Sequence, residues 1–288
     1  MIGSCKIDNT DLHALGIFIE RGGSDDFISF PDRRAPDANS WAEYDGLDVD
    51  LSDCYFDAKT VIVNYIITAD NETVFKQRLN SFEALHFATG LRQIFVKEFN
   101  RTFSLRFVGF TSYKHKGGLL NARKKIGKVS VEYSMDNPLQ LFQGVSATPV
   151  SSRPALAQVT INGYDLSRFN IVVQDAYSTA LLPKSAKRML ERKIESVNGT
   201  IADAAYAPRK EARQIAIDCT MLADSLTQFW TNYTALFNNM RIKSPLQLGV
   251  TRTGGVISCY YLKMMNFRKL APFARKIKVS FSLILQEI

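Results

Sequence analysis

The chain repeats itself. Shifted by 154 positions, KIDNTDL at 6–12 falls on TINGYDL at 160–166, so that Ile7 meets Ile161, Asp11 meets Asp165 and Leu12 meets Leu166. GIFIE falls on NIVVQ, TVIVNYII (60–67) on QIAIDCTM (214–221), and ADNETVFKQRLNSFEALHF on ADSLTQFWTNYTALFNNM. Pro31 and Pro183 pair at an offset of 152, and Gly46 and Gly199 at 153. LRQIFVKEFNRTFSLRFVGF (91–110) lies on PLQLGVTRTGGVISCYYLKM (245–264). The copies end on KIGKVSVEYS (125–134) and RKIKVSFSLI (275–284), which makes the second copy shorter by about four residues before its last strand.

One shared dipeptide is chance, but a whole series of elements in one order is duplication. Two copies are too few for an open solenoid and suit a two-domain module. The 288 residues, at roughly 100–200 per domain, agree with that count. Hydrophobic residues make up 46% of the chain, with 19 Phe and 11 Tyr, enough for two cores. The division expected is a first domain over 1–137, a linker over 138–158 rich in Pro, Ser and Ala, and a second domain over 159–288. LQLF inside the linker is a candidate extra strand.

Alternation with period 2 dominates. Val61, Val63 and Tyr65 share a face, as do Ile215, Ile217 and Cys219. Phe103, Leu105 and Phe107 form a stripe echoed by Ile257, Cys259 and Tyr261, and Val129, Val131 and Tyr133 form the last. One helix interrupts each copy. Val74, Phe75, Leu79, Phe82 and Leu85, and then Leu226, Phe229, Trp230, Tyr233, Leu236 and Phe237, recur at helical spacing, with Asp70 and Asp224 as candidate caps. The fold expected is mainly β (α+β): two similar antiparallel β-sandwich or partly open barrel domains, each with one flanking helix.

The residues offer little for catalysis. His13, His86 and His115 form neither HExxH nor a Cys–His metal spacing, and GxGxxG, GxxxxGK[ST] and GxSxG are missing. Asp45, Asp48, Asp50, Asp53 and Asp57 lack the glycine and terminal glutamate of a calcium loop, and the second copy has no similar series. Cys5, Cys54, Cys219 and Cys259 are scattered, which fits a reducing compartment. MIGSCKIDNTDLH has no apolar stretch of the signal-peptide kind, and no run approaches a membrane span. The expectation is a protein that is not an enzyme, with no cofactor, no metal and no membrane partner.

The formal charge is +8, gathered in SYKHKGGLLNARKKIGK, LPKSAKRMLERK and NFRKLAPFARKIK. Such runs suit acidic protein partners or non-specific proximity to DNA. No recognition helix or paired aromatics accompany them. The long loop 21–45 and its echo at 182–196 are of a length usually kept for binding or assembly. Candidate assembly contacts are Phe27, Phe30 and Trp41 in the loop, whose other reading is that they close their own domain, and the basic residues Lys124, Lys125, Lys184, Lys187 and Arg188.

EYDGLDVDL with TVIVNYII, then a helix over 70–87, then QIFVKEFNRTFSLRF, resembles the tail-tube fold of tailed bacteriophages, and especially the N-terminal domain of distal tail proteins. ESVNGTIAD, QIAIDCTM, 224–240 and LQLGVTRTGGVISCYYL repeat the order, so the resemblance spans nearly the whole chain. It implies a structural protein of the virion tail, assembled in the host cytoplasm and self-associating into a ring around a DNA channel. With two tube-like domains per subunit, the ring is a trimer or a hexamer. A distal tail protein links the tail tube to the baseplate or fibre hub, and its partners are tube, tape-measure or hub proteins. Distal tail proteins more often pair one tube-like domain with a different outer one, so a tail-tube or hub subunit is the nearest alternative. A nucleic-acid or carbohydrate binding module is the alternative from another class.

Overall fold

The computed structural model describes residues 3–116, 125–144, 146, 148, 149, 151, 153–156, 158–188, 191–196, 198–202, 207–271 and 276–288. The alternating runs become strands where the period predicts. The first copy comprises β1 (Cys5–Ile7), β2 (Thr10–Asp11), β3 (Ile17–Ile19), β4 (Lys59–Ala69), α1 (Glu72–His86), β5 (Arg92–Val96), β6 (Arg101–Lys116) and β7 (Lys125–Met135). The second comprises β8 (Val159–Ile161), β9 (Tyr164–Asp165), β10 (Ile171–Asp175), β11 (Gln214–Ala223), α2 (Leu226–Met240), β12 (Leu246–Val250), β13 (Val256–Lys269) and β14 (Ile277–Glu287).

Each copy forms a seven-stranded antiparallel sheet. The strand order is β2-β1-β5-β6-β7-β4-β3 in the first and β9-β8-β12-β13-β14-β11-β10 in the second, the same order twice. One long strand carries each sheet round a corner. Arg101–Leu105 of β6 pairs with β5, and Arg106 onward pairs with β7. A bulge between Phe107 and Gly109 bends it, and β13 has its own at the equivalent place, between Tyr261 and Lys263. The result is a pair of similar β-sandwich-like domains, each with a flanking helix.

The register fixes the equivalence of the last strands. Tyr65 pairs with Val129, and Cys219, its counterpart, pairs with Phe281. Val129 therefore corresponds to Phe281 and not to Val279, and β14 lies two residues beyond the expected alignment. A shift of two keeps every side chain on its face, so pattern matching had nothing to detect it with. LQLF adds no strand. Pro138–Phe142 is a 3-10 turn with proline in its first turn, and Leu141 and Phe142 are buried.

The helix caps sit one residue later than expected. Asn71 Oδ1 accepts from Val74 N at 2.9 Å, and Ser225 Oγ accepts from Gln228 N at 3.1 Å. Phe75 and Phe82 close the first core against Val63, Tyr65 and Val131. The two helices differ in burial. Only Phe75, Phe82 and His86 of α1 are buried, whereas α2 buries Phe229, Trp230, Tyr233, Leu236, Phe237 and Met240 among others. Something covers the outer side of α2 that does not cover α1.

Candidate assembly surfaces

The cover is a leg from the other copy. Between the third and fourth strands each copy extends a segment built to one plan. In the first, a turn (Asp25–Phe27) leads to Ser29-Phe30-Pro31, a bridge between Arg33 and Phe56, and a ribbon of Ala38–Asn39 with Asp48–Val49. In the second, a single turn of α-helix (Tyr177–Ala180) leads to Leu181-Leu182-Pro183, a bridge between Ala186 and Lys210, and a ribbon of Glu191–Arg192 with Ile201–Ala202. Both legs are pinned to their own sheet by equivalent cations, at carbonyls one residue apart in register. Lys59 Nζ donates to Ser29 O at 2.5 Å, and Arg213, its counterpart in the second copy, donates to Leu182 O.

Leg one lies across the second copy. Phe30, 2% exposed, sits with its ring 4.4 Å from Tyr233, 4.9 Å from Phe237 and 5.6 Å from Phe142. The seat is the groove between α2 and β13. Tyr233 Oη donates to Ile28 O at 2.8 Å, Tyr261 Oη to Pro31 O at 3.0 Å, and Arg33 N to Leu262 O at 2.9 Å. Trp230 Nε1 donates to Phe99 O at 3.0 Å, and Arg101 lies 4.8 Å over the Trp230 ring. At one edge Lys269 Nζ, almost fully buried, meets Glu98 at 2.8 Å, Asp25 at 3.7 Å and Ser24 Oγ at 2.7 Å. Burial pushes the Asp25 carboxyl up, against the pull of the Lys269 ammonium.

These contacts correct part of the expected surface. Phe27 and Phe30 are interior residues of the chain itself and not part of its exposed surface. Lys187 is also withdrawn: its Nζ donates to Gly46 O at 2.6 Å and Trp41 O at 2.8 Å, clamping the tip of leg one. The loop 21–45 thus joins the two copies of one chain. Phe27 closes its own copy, with its ring 4.6 Å from Phe103, while Phe30 closes an interface the sequence could not locate, because its covering surface belongs to the other copy. Trp41 stays half exposed, its Nε1 donating to Asp48 Oδ2 at 3.3 Å. Lys125 lies 4.0 Å from Glu72 and Lys184 2.9 Å from Glu287, while Arg188 is exposed. Lys124 falls outside the described residues.

Leg two turns outward. Leu181 is 47% exposed and Leu182 56%, at the positions of Ser29 and Phe30. A second exposed apolar group lies on the first copy, where the end of α1 packs on β6. Phe87, 67% exposed, Phe107 and Phe110 form a triangle with ring separations of 5.4, 6.3 and 5.1 Å. Sequence reading missed both. The usable signal was the pairing of LLP with SFP at offset 152.

The acids and histidines are taken up singly. Asp45 accepts from Lys210 N, Asp50 from Ser52 N, Asp53 pairs with Lys243 at 3.3 Å and Asp57 with Arg34 at 3.1 Å. No group of three or more metal-ligating side chains occurs among the described residues. A concavity of about 180 Å³ holds Asp50 and Asp53 with Arg34 and Asp37, but neither Asp45 nor a histidine. His115 stacks on Phe75, and His13 meets the edge of Phe18. His86 is buried between Phe82 O at 2.7 Å and Tyr133 Oη at 2.5 Å, and burial holds its imidazole down at about 4. No described helix is long and apolar enough to cross a membrane.

No family model matches the chain, and no curated protein matches it. Among solved structures it is similar to the Dit protein of phage SPP1, described as a paradigm of the hub adsorption apparatus in phages that infect Gram-positive bacteria. That likeness spans 99% of this chain and 98% of the other at 11% identity, with a TM-score of 0.35. An overlay this loose carries no weight of its own.

Proposed function

We propose that the chain is a structural subunit of a bacteriophage tail that assembles into a ring. One observation carries the reading: its two like domains pack head to tail. A leg of the first occupies a groove of the second, and no described residue of leg two makes the matching contact with the first. Heterologous packing of like units does not end on itself. It runs on until a rotation closes it into a ring, or it grows as a filament. The element order that resembles the tail-tube fold supports the ring. Its place is the distal end of the tail, between the tube and the baseplate or fibre hub. Assembly, with no bond chemistry, is the mechanism.

A second reading has an observation of its own. Both halves share one strand order, and that duplication favours a tube or hub subunit over a distal tail protein, which usually carries an unlike outer domain. Both readings expect rings with a central channel, of three or six subunits. Electron microscopy of the purified chain tests them together: rings with countable subunits are the expected result. A protein that stays monomeric at high concentration, by light scattering, removes both.

A further inference from the structure

We infer that leg two of one subunit, through Leu181, Leu182 and Pro183, docks on the apolar surface of Phe87, Phe107 and Phe110, where α1 meets β6, in the next copy of this chain. The inference rests on the ring reading above and names the contact that would build the ring.

The molecule already contains the pattern. Leg one and leg two share a turn, a bridge and a ribbon, and in each a proline follows the residue that enters or faces the groove, at an offset of 152. Leg one has a groove to lie in, and the walls of that groove have equivalents in the first copy. Tyr261 corresponds to Phe107 and Met264 to Phe110, both beside the bulge that the two copies share. Tyr233 corresponds to Leu79, and Arg241, just past the helix end, to Phe87. In the second copy Tyr261 and Met264 are covered by residues 28–33. In the first, Phe110 and Phe87 are exposed and Phe107 is only partly buried.

Two exposed apolar surfaces are therefore left over, and they are the two halves of a contact the chain already makes once. The glycine at each leg tip agrees. Gly46 and Gly199 are both left-handed, at φ 75° and 89°. A Cβ on Gly46 would strike the Ile288 backbone at 2.9 Å, whereas no described residue lies within 4 Å of one on Gly199. Tip one is seated against the chain's last residue, and Gly199 has no such neighbour among the described residues. Repeating the internal operation places leg two on the first copy of another subunit. The walls are not identical: Leu79 and Phe107 stand where Tyr233 and Tyr261 donate to leg one, and Glu83 stands where Phe237 stands, so the surface between subunits is less apolar than the one within and holds leg two without those two hydrogen bonds.

The test uses the full chain and two exposed positions, Leu182→Asp and Phe110→Asp, compared with wild type by mass photometry and electron microscopy. Wild type is expected to form rings. Each variant, folded by circular dichroism, is expected to need a concentration about tenfold higher or more to assemble. Mixing the variants should give dimers and no rings, since one brings an intact leg and the other an intact apolar surface. Introducing Leu182→Cys and Phe110→Cys together into one chain should give disulfides between subunits on oxidation. Rings of wild-type stability from either variant would overturn this contact while leaving the ring reading in place. A mixture that remains monomeric would overturn the head-to-tail pairing. A wild type that never assembles would withdraw the ring reading and this contact with it.

Discussion

Phe30 is the residue on which the two copies meet. Its ring is enclosed by Tyr233, Phe237 and Phe142, so truncation leaves a cavity that those rings cannot fill. Phe30→Ala should cost about 3–5 kcal/mol by chemical denaturation. Leu182→Ala at the equivalent place in leg two should cost the unassembled chain under about 0.5 kcal/mol. Equal costs would mean that leg one is not the buried member of the pair. His86 gives a second prediction. Its imidazole titrates near 4 in the fold, below its ordinary 6.5. Between those values the unfolded chain binds more protons than the folded one. Its contribution to stability therefore falls as pH drops from about 6.5 towards 4. Met240 occupies the same position in the second copy. His86→Met should be less stable than wild type at pH 7, with the deficit shrinking by pH 4.5 in urea titrations. Parallel pH profiles would rule out this role.

At the scale of elements, most of the fold was legible and the errors were small and regular. Strands followed the alternation of residues such as Val61, Val63 and Tyr65, because one buried face imposes a period of two. Each cap moved by one residue because Asp70-Asn71 and Asp224-Ser225 both offer two acceptors, and only backbone geometry chooses between them. LQLF carries strand-like composition, yet Phe142 packs with its ring 4.2 Å from that of Phe237 and the segment turns to reach it. The legs read as loops, which they are, but letters alone do not say where each one lands. Gly46→Ala and Gly199→Ala separate the two. Both incur the cost of a left-handed backbone, about 1–2 kcal/mol. Gly46→Ala should cost more, since its added methyl group meets Ile288, and it should speed hydrogen exchange at the Gly46 amide, which is bonded to Lys210 O. Equal losses would mean that the tip of leg one is not packed as described.

At the scale of the molecule, one apolar cluster runs through both copies, with leg one passing between them. Calorimetry should therefore show a single cooperative transition for the unassembled chain. Two separate transitions would mean that the legs join the copies only loosely. Lys269→Ala should weaken the junction by about 3–5 kcal/mol, because it leaves Glu98 and Asp25 buried beside an absent cation.

The sequence alone determined that the chain is built twice, where its strands and helices run, and that each domain is β-rich with one helix on it. Those are local matters, settled by the spacing of apolar residues and by the order of elements. Tertiary structure decided which apolar residues are inside. SFP and LLP are equally plausible as buried turns or as exposed contacts when read as letters. Phe30 is covered because α2 and β13 lie within reach, whereas Leu182 stays more than half exposed. Burial belongs to a pair of surfaces, and the second member of the pair is nowhere near the first in sequence.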